Sequence, residues 1–326
     1  MKIGKISENV QKRSILRLLK TGQNEVLVGA GPGEDCAVFA FPGERLVTCL
    51  VEGLGSVSQL LTEGVNRLLI KGAVPVSVSL HIVLPPEAEE ESLKECVAAA
   101  RDFCEEEGIL LTQVTGRVNP VMSDRMVVAS FTGSVSGDAA TFYDVKQTKP
   151  FQDIIVTKWI GMRGSAYLAE KHYDEILERY PKWVPDAARR FEDCLSVRSE
   201  AAVAIKSGVC TMLNVSEGGI LAALWELAEG AGVGLTIDLK KLPIRQETVE
   251  ICNYLNVNPY EMLSGGCLLM TAADGALLTD ALTAEGIPAV VVGRTTDGKD
   301  RLIVNDEEVR FLDRPHSDSL FDRYFV

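Results

Sequence analysis

A glycine-rich loop followed by two acids is the first place in this sequence where chemistry could occur. The stretch "VGAGPGEDCAVFA", residues 28–40, places Gly31 and Gly33 just before Glu34 and Asp35. Glycines let backbone N–H groups approach phosphate oxygens, and a neighbouring carboxylate can hold Mg²⁺. No GK[ST] follows the loop, and a strand-like run stands where a dinucleotide fingerprint needs a helix. Taken alone, these residues favour a glycine-rich hairpin over a phosphate site.

A second glycine pair lies in "NVSEGGILAALWELAE", residues 214–229. Ser216 is the expected N-cap of a helix whose buried stripe includes Ile220. Gly218 and Gly219 would then stand in the first turn, where glycine is unfavourable by propensity. Their presence indicates a close approach, either by a ligand to bare N–H groups or by a neighbouring backbone, and both alternatives stay open here.

The remaining polar residues give weaker signals. A third glycine pair, in "MLSGGCLLMTA" (262–272), is interpreted as a plain turn. None of the eight cysteines forms a CxxC pair, and the three histidines lack metal-ligand spacing. Cys36 is expected to be a packed small side chain rather than a nucleophile.

Composition and charge narrow the possible functions. The chain has 326 residues and a formal net charge of −13. Such an acidic chain repels nucleic acid and anionic membranes unless its basic residues are segregated. We find no apolar stretch long enough to span a bilayer and no signal-peptide pattern, so we expect a cytoplasmic protein.

The elements that must position these residues alternate between strands and helices. The patterns predict a strand at 45–51, a helix at 56–72, a strand at 74–85 and a helix at 89–108. A polar segment without a period, 136–152, suggests a boundary between a domain at 1–145 and a domain at 146–326. In the second domain strands are predicted at 208–213, 233–238, 267–272 and 288–294, with helices at 217–230, from 245 and from 275. Both domains are therefore expected to be α/β, the second with a mixed sheet covered by helices.

Taken together, the motifs resemble the aminoimidazole ribonucleotide (AIR) synthetase superfamily, also called PurM/HypE. "GPGEDCAV", "VNRLLIKGAVPVSVSLHIVLP", "DIIVTKWIGMRGSAYLA", "NVSEGGILAALWELAE" and "MLSGGCLLM" occur in the order of that family. The resemblance covers nearly the whole chain. "EGGILAALWELAE", "PIRQETVEIC" and "NPYEMLSGG" are most similar to the HypE-like branch, which acts in hydrogenase maturation.

The resemblance implies a fold and a set of partners. Members are typically homodimers whose N-terminal domains pair their sheets into a shared β-barrel. ATP and magnesium are held by aspartates of the N-terminal domain and by the glycine-rich turn of the C-terminal domain. The common chemistry is ATP-dependent phosphorylation or activation of a nucleophile, and a maturation partner protein is a further expectation.

Several positions depart from the family pattern, and all of them lose an acid or a histidine. No aspartate stands near Leu50, and Arg67 replaces the aspartate of V-N-D-L. The altered turn "TQVTGRV" contains Arg117, and Asn214 replaces the aspartate before the glycine turn. Magnesium prefers several hard anionic oxygens, so Glu34 and Asp35 alone predict a weak metal site.

Arg67 has two interpretations. It follows Glu63 by four residues, the favourable order for a helix-surface ion pair. Alternatively, its guanidinium takes the place of the magnesium charge and pairs with Asp35 or with a phosphate. The second is slightly favoured, because the family places this position near the nucleotide.

These considerations leave three hypotheses. The favoured one is a HypE-like protein with a degenerate active site, which binds ATP or another anionic ligand with weakened or lost magnesium-dependent turnover. The alternatives are an active ATP-dependent enzyme of the superfamily and a dimeric scaffold for a maturation partner. No catalytic residue is assigned. The predicted binding residues are Gly31, Gly33, Glu34, Asp35, Arg67, Arg117, Asn214, Ser216, Gly218 and Gly219.

Overall fold

The computed structural model describes residues 8–13, 26–29, 31–41, 43–53, 56–136 and 142–324. These residues divide into two compact units. The N-terminal unit contains 26–29 and the described residues between 35 and 142. The C-terminal unit contains 8–13, 31–34 and 143–324. The loop 31–34 therefore groups with the C-terminal unit, and the predicted domain limits at 145 and 146 stay a prediction.

The elements alternate along the chain as the sequence patterns indicate. In order they are α1 (Glu8–Gln11), β1 (Val26–Val28), β2 (Ala37–Phe41), β3 (Glu44–Gly53), α2 (Val57–Leu69), β4 (Val74–Leu84), α3 (Glu90–Glu107), β5 (Leu110–Val118), β6 (Met126–Ser136), β7 (Asp153–Thr157), α4 (Met162–Lys171), α5 (Tyr173–Leu177), α6 (Trp183–Arg189), α7 (Arg198–Lys206), β8 (Val209–Val215), α8 (Gly219–Ala231), β9 (Gly234–Asp238), α9 (Gln246–Leu255), β10 (Cys267–Ala272), α10 (Gly275–Ala284), β11 (Ala289–Thr296), β12 (Arg301–Asn305), β13 (Glu308–Phe311) and α11 (Ser319–Tyr324).

Within the N-terminal unit, the described strands form one mixed sheet in the order β1-β2-β3-β6-β4-β5. Neighbours are antiparallel except β4 and β5, which are parallel and joined through α3. Helix α2 buries Leu61, Val65 and Leu68 at helical spacing, and it packs against β3 and β6. Gly108 ends α3 in the left-handed conformation, with φ of 68°.

Within the C-terminal unit, the described strands form a second mixed sheet in the order β13-β12-β9-β11-β7-β10-β8. Only β12 and β9 are parallel among the neighbours in this described sheet. Strand β10, next to the edge strand β8, is fully buried, and helices α8 and α10 contact it. A continuous apolar strand is expected where both faces of a sheet are covered.

The predicted α/β class with two sheets and covering helices is confirmed. Strands β12 and β13 were not predicted, because "RLIVNDEEVRF" has only short apolar runs around a polar turn. The predicted absence of a signal peptide concerns residues that lie largely outside the described ranges. None of the helices in the described ranges is long and apolar enough to cross a membrane.

Candidate anion-binding residues

The first glycine loop is a tight turn. The Glu34 N–H donates to the Gly31 carbonyl at 3.2 Å, which closes the turn across Pro32. Gly33 has φ of 72°, and a Cβ there would lie 3.3 Å from the Glu226 carbonyl of helix α8. A positive φ and close packing together explain why glycine stands at this position. A role of Gly31 and Gly33 in phosphate binding stays a prediction.

Glu34 has a defined partner inside the C-terminal unit. Its carboxylate Oε1 accepts a hydrogen bond from the Val145 N–H at 3.0 Å. Val145 begins a short 3₁₀ turn, so the carboxylate binds a backbone donor of that turn much as an N-cap residue does. One carboxylate oxygen of Glu34 is therefore already engaged by the protein.

The N-terminal unit contains a charged cluster around Arg67. The Arg67 Nε donates to Glu63 Oε1 at 3.2 Å, and its Nη1 donates to the Leu50 carbonyl at 3.0 Å. Burial alone would lower the pKa of Arg67. The charges of Asp35 and Glu63 outweigh that effect and raise the pKa, so the guanidinium stays positive.

Both interpretations of Arg67 thus have a structural basis. The ion pair with Glu63 is present, and the electrostatic influence of Asp35 is present as well. Guanidinium has five N–H donors. The hydrogen bonds to Glu63 and Leu50 use two of them, which leaves donors that could bind an anion.

Arg117 lies apart from this helix-based cluster, on the exposed strand β5 at the edge of the described sheet. Two further acids, Glu52 and Asp124, are candidate substitutes for the metal ligands that the family pattern expects. Glu52 is exposed on β3, and Asp124 is exposed in the turn before β6, where it accepts from the Arg125 N–H. Within the described ranges, no group of three or more His, Cys, Asp or Glu side chains is arranged to hold a metal ion.

The prediction that Ser216 caps helix α8 is wrong. The N-cap residue is Gly218, with φ of 80°, and α8 begins at Gly219, with φ of 66°. The Ser216 carbonyl, rather than its hydroxyl, accepts from the Gly219 N–H at 3.1 Å. Two consecutive residues with positive φ disfavour any side chain, so the backbone conformation itself requires glycine here.

Backbone crowding adds a second reason for Gly219. A Cβ at Gly219 would lie 2.5 Å from the Tyr260 carbonyl oxygen and 2.8 Å from that of Met262. The close approach inferred from the sequence is therefore made by a neighbouring backbone. Ligand binding by Gly218 and Gly219 stays a prediction. Asn214 precedes them as a buried residue of β8, opposite Leu268 of β10.

The glycine turns of the C-terminal unit meet in one place, which we call the glycine cluster (214–219, 260–266 and 161–164). The Ser264 N–H donates to the Ser216 carbonyl at 3.1 Å. The Ser264 hydroxyl oxygen accepts from the Gly161 N–H at 2.8 Å, and its carbonyl accepts from the Arg163 N–H at 2.6 Å. Gly265 and Gly266 both have φ of 70°. The sequence predicted three separate turns, and the fold joins two of them directly.

Asp318 also belongs to the glycine cluster, and sequence reasoning missed it. Its Oδ2 accepts from the Gly218 N–H at 2.7 Å, and its Oδ1 accepts from the Leu320 N–H at 2.9 Å. Burial raises the pKa of Asp318 to about 6, although these hydrogen bonds act in the opposite direction. The contact spans 100 residues, so no local sequence pattern could have indicated it.

A small cavity adjoins Gly218. Its volume is about 40 Å³, and its lining includes Arg310, Arg314 and His316 from the segment after β12. A water molecule fits in such a space. The helix N-terminus, Asp318 and these basic side chains thus meet at one edge of the C-terminal unit.

Comparison with known proteins assigns the class. Residues 152–305 match the family model "AIR synthase related protein, C-terminal domain". The two units, each with a mixed sheet, agree with the two-domain fold of that class. This match and the fold together support the AIR synthase-related, or PurM/HypE, superfamily.

The individual relatives support a similarity to the HypE-like branch. It is 27% identical to the carbamoyl dehydratase HypE of Rhodobacter capsulatus over 280 residues, which are 82% of this chain and 78% of that protein. A crystal structure of a HypE–HypF complex matches with a TM-score of 0.73 at 17% identity, over 87% of this chain and 94% of that chain. A crystal structure of HypE in complex with ATP matches with a TM-score of 0.71 at 14% identity, over 97% of both chains.

Proposed function

We propose that this HypE-like protein binds ATP or another anionic ligand through Arg67, with weakened or lost magnesium-dependent turnover. The observation that carries the proposal is the guanidinium of Arg67, which stays charged and is oriented by Glu63 and Leu50 while further N–H donors remain for an anion. Arginine binds phosphate oxygens in a bidentate manner, so this side chain suits a triphosphate.

The relatives support the choice of ligand. One matching HypE structure holds ATP. We extend that property to this chain as part of the proposal. Asp35 and Arg117 are proposed as further determinants of the N-terminal unit. For the C-terminal unit we propose Gly31, Gly33, Glu34, Asn214, Ser216, Gly218 and Gly219.

The remaining acids fit magnesium poorly. One oxygen of Glu34 accepts from the Val145 N–H, and Asp35 acts on the positive charge of Arg67. A guanidinium beside a carboxylate competes with a divalent cation for the same negative charge. We therefore derive no magnesium-assisted step for this protein.

Thermal unfolding with ATP, with and without Mg²⁺, tests this proposal. A ligand at 100 times its dissociation constant stabilises the folded state by about 2.7 kcal/mol. We expect ATP to raise Tm equally with and without magnesium, and Arg67→Ala to abolish most of that rise. Arg101→Ala is the matched control, because Arg101 is an exposed helix arginine paired with Asp102.

Each outcome of that experiment separates the hypotheses. A shift that requires magnesium, together with ATP turnover that Asp35→Asn abolishes, would establish the active-enzyme alternative. A shift that survives Arg67→Ala would contradict the role of Arg67. An unchanged Tm under every condition would leave the scaffold alternative.

A second candidate function, a dimeric scaffold for a maturation partner, is favoured by the N-terminal sheet. Helices α2 and α3 cover one face, and along β3 the buried Val47, Cys49 and Val51 point toward it. On the opposite face Leu50 is 57% exposed, and no described element of the same unit covers it. Because this face is uncovered, we propose a homodimer through it. A matching structure is a HypE–HypF complex, so we also propose binding of a maturation protein.

Sedimentation equilibrium tests the dimer. We expect Leu50→Glu to convert the dimer to a monomer, because it would bury a charge in the interface. Val121→Glu is the control, because Val121 is 83% exposed in a turn of the same unit. A wild-type monomer, or equal behaviour of the two variants, would contradict this interface.

A further inference from the structure

Two cysteines of the N-terminal unit lie near each other in the strand pairing: Cys49 is on β3, and Cys36 directly precedes β2. Strands β2 and β3 are antiparallel, with Ala37 opposite Thr48 and no irregularity along the pairing. Extending this register by one residue before β2 brings Cys36 to the position opposite Cys49. Directly opposed Cα atoms in antiparallel strands are about 4.5 or about 5.5 Å apart. Both separations lie within the range of roughly 4.4–6.8 Å that a disulfide requires.

The two side chains also point the same way. The Cys36 Sγ donates to the Arg67 carbonyl at 3.1 Å, and the Cys49 Sγ donates to the Gly64 carbonyl at 3.6 Å. These carbonyls belong to α2 and are three residues apart, so they lie about 4.5 Å apart along the helix axis. The Cys49 side chain is also close enough to raise the pKa of Cys36. The two thiols are thus neighbours under one helical turn.

The four other cysteines that are buried, all of them within the described ranges, have different surroundings. Cys96 and Cys104 lie on the same helix α3, two turns apart. The Cys252 thiol contacts the sulfur of Met262, and Cys267 lies opposite Val215 in the C-terminal sheet. The eight thiols are all reduced in this structure. The Cys36–Cys49 pair is therefore distinguished by its geometry and not only by its sequence.

We propose that Cys36 and Cys49 are a modification site, a dithiol that a small-molecule disulfide oxidises reversibly to an intramolecular disulfide. One protein thiolate attacks the small disulfide, forms a mixed disulfide and releases one small thiolate. The second protein thiolate then attacks the protein sulfur of the mixed disulfide and releases the other. One protein S–S bond forms, one small-molecule S–S bond breaks, and the two thiol protons pass to the two released thiolates.

The environment of the pair makes the exchange slow. Interaction with the Cys49 side chain and, next, burial raise the pKa of Cys36 well above its ordinary value, while the charge of Lys71 acts in the opposite direction. A thiol that stays protonated attacks slowly, because the thiolate is the nucleophile. Cys49 is 7% exposed and Cys36 is 4% exposed, so access also limits the rate. We expect oxidation over minutes to hours, faster at higher pH.

The bond would also change the surroundings of Arg67. Oxidation removes both S–H donors, so the carbonyls of Gly64 and Arg67 lose their hydrogen bonds to sulfur. It also ties Cys36, and through the backbone Asp35, to β3. The proposed disulfide does not depend on ligand binding, and its test contains no nucleotide.

Peptide mapping of the full-length protein tests the proposal. The protein is incubated at pH 8 with oxidised glutathione or with dithiothreitol, then unfolded and alkylated. Trypsin cleaves after Arg45, so Cys36 falls in peptide 21–45 and Cys49 in peptide 46–67. We expect oxidised glutathione to join these two peptides and to remove two of the eight alkylatable thiols. Dithiothreitol should restore both.

Matched variants and the wild-type map make the outcome decisive. Cys49→Ser should abolish the linked peptide, whereas Cys96→Ser, another buried cysteine of the same core, should retain it. The peptide map of the wild-type protein is informative even if a variant fails to fold. Eight alkylated thiols after oxidation, a stable glutathione adduct without the linked peptide, or a link from Cys49 to a different cysteine would each overturn the proposal.

Discussion

The Arg67 cluster of the N-terminal unit and the glycine cluster of the C-terminal unit are built from different parts of the chain. Around Arg67, side chains make the contacts, with Glu63 and Asp35 acting on one guanidinium. In the glycine cluster, backbone N–H groups and carbonyls make most contacts, and glycines with positive φ give the backbone the path that these contacts require. One region depends on which charges are present, and the other depends on the path of the backbone.

This difference matches the departures that the family resemblance implies. The departures expected from that resemblance, at positions 67, 117 and 214, concern side chains, whereas the glycine pairs at 218–219 and 265–266 are present in the sequence. A substituted side chain changes charge and leaves the backbone as it was. A substituted glycine would have to move the backbone, because Gly219 has both a positive φ and a close neighbour. The fold can therefore persist while the chemistry of the Arg67 cluster changes.

The largest expected effect is from Gly219→Ala. The added Cβ would meet the Tyr260 carbonyl at 2.5 Å in a backbone conformation with φ of 66°. We expect a loss of about 4 kcal/mol in the free energy of unfolding, measured by urea denaturation. Gly286→Ala is the control, because Gly286 also has a positive φ but open space around it, and about 1 kcal/mol is expected. Equal losses in both variants would show that backbone crowding does not determine the glycine cluster.

Arg67→Ala should have the next largest effect. It leaves the carboxylate of Glu63, whose side chain is 8% exposed, without its guanidinium partner. Removing one partner of a buried pair costs about 3 kcal/mol, whereas an exposed pair such as Arg101–Asp102 contributes little to stability. Urea denaturation of Arg67→Ala, Glu63→Gln and the double variant measures the coupling energy. A coupling energy near zero would contradict a cluster based on side-chain charge.

The smallest expected effect is the pH dependence contributed by Asp318. Its pKa is about 6 in the folded protein, raised from an ordinary value of 3.8. Its stabilising contribution is therefore complete below about pH 4 and is lost as the pH rises through 6. We expect the stability of the wild type relative to Asp318→Asn to fall by about 2 kcal/mol between pH 4 and pH 7. A difference that stays constant with pH would show that the carboxyl does not titrate in this range.

The strongly periodic segments of the sequence predicted their elements well. The helix expected at 56–72 is Val57–Leu69, and the strand expected at 74–85 is Val74–Leu84. The reason is that one buried face sets the hydrophobic period within each element. The charge pair between Glu63 and Arg67 was predictable for a similar reason, since both residues lie on one helix, one turn apart.

The capping and the long-range contacts could not be predicted. Ser216 has a good N-cap side chain, but Gly218, in the left-handed conformation, is the N-cap residue instead. Asp318 reaches Gly218 because of the tertiary path of the chain, and its polar neighbourhood "PHSDSLFD" gives no sign of burial. Cys36 was expected to be a packed side chain, and its position opposite Cys49 follows only from the strand register. Local propensity carries no information about such partners.

The hydrogen bond from Gly218 to Asp318 has a consequence for biosynthesis. The two residues are separated by 100 positions, and Ser319 also accepts from the Asn258 N–H through its hydroxyl. At about 5–20 residues per second, a ribosome adds Asp318 roughly 5 to 20 s after Gly218. During that interval the Gly218 N–H, at the N-terminus of α8, lacks the Asp318 carboxylate as its hydrogen-bond acceptor. The glycine cluster therefore gains this contact only after residues 219–318 have been synthesised.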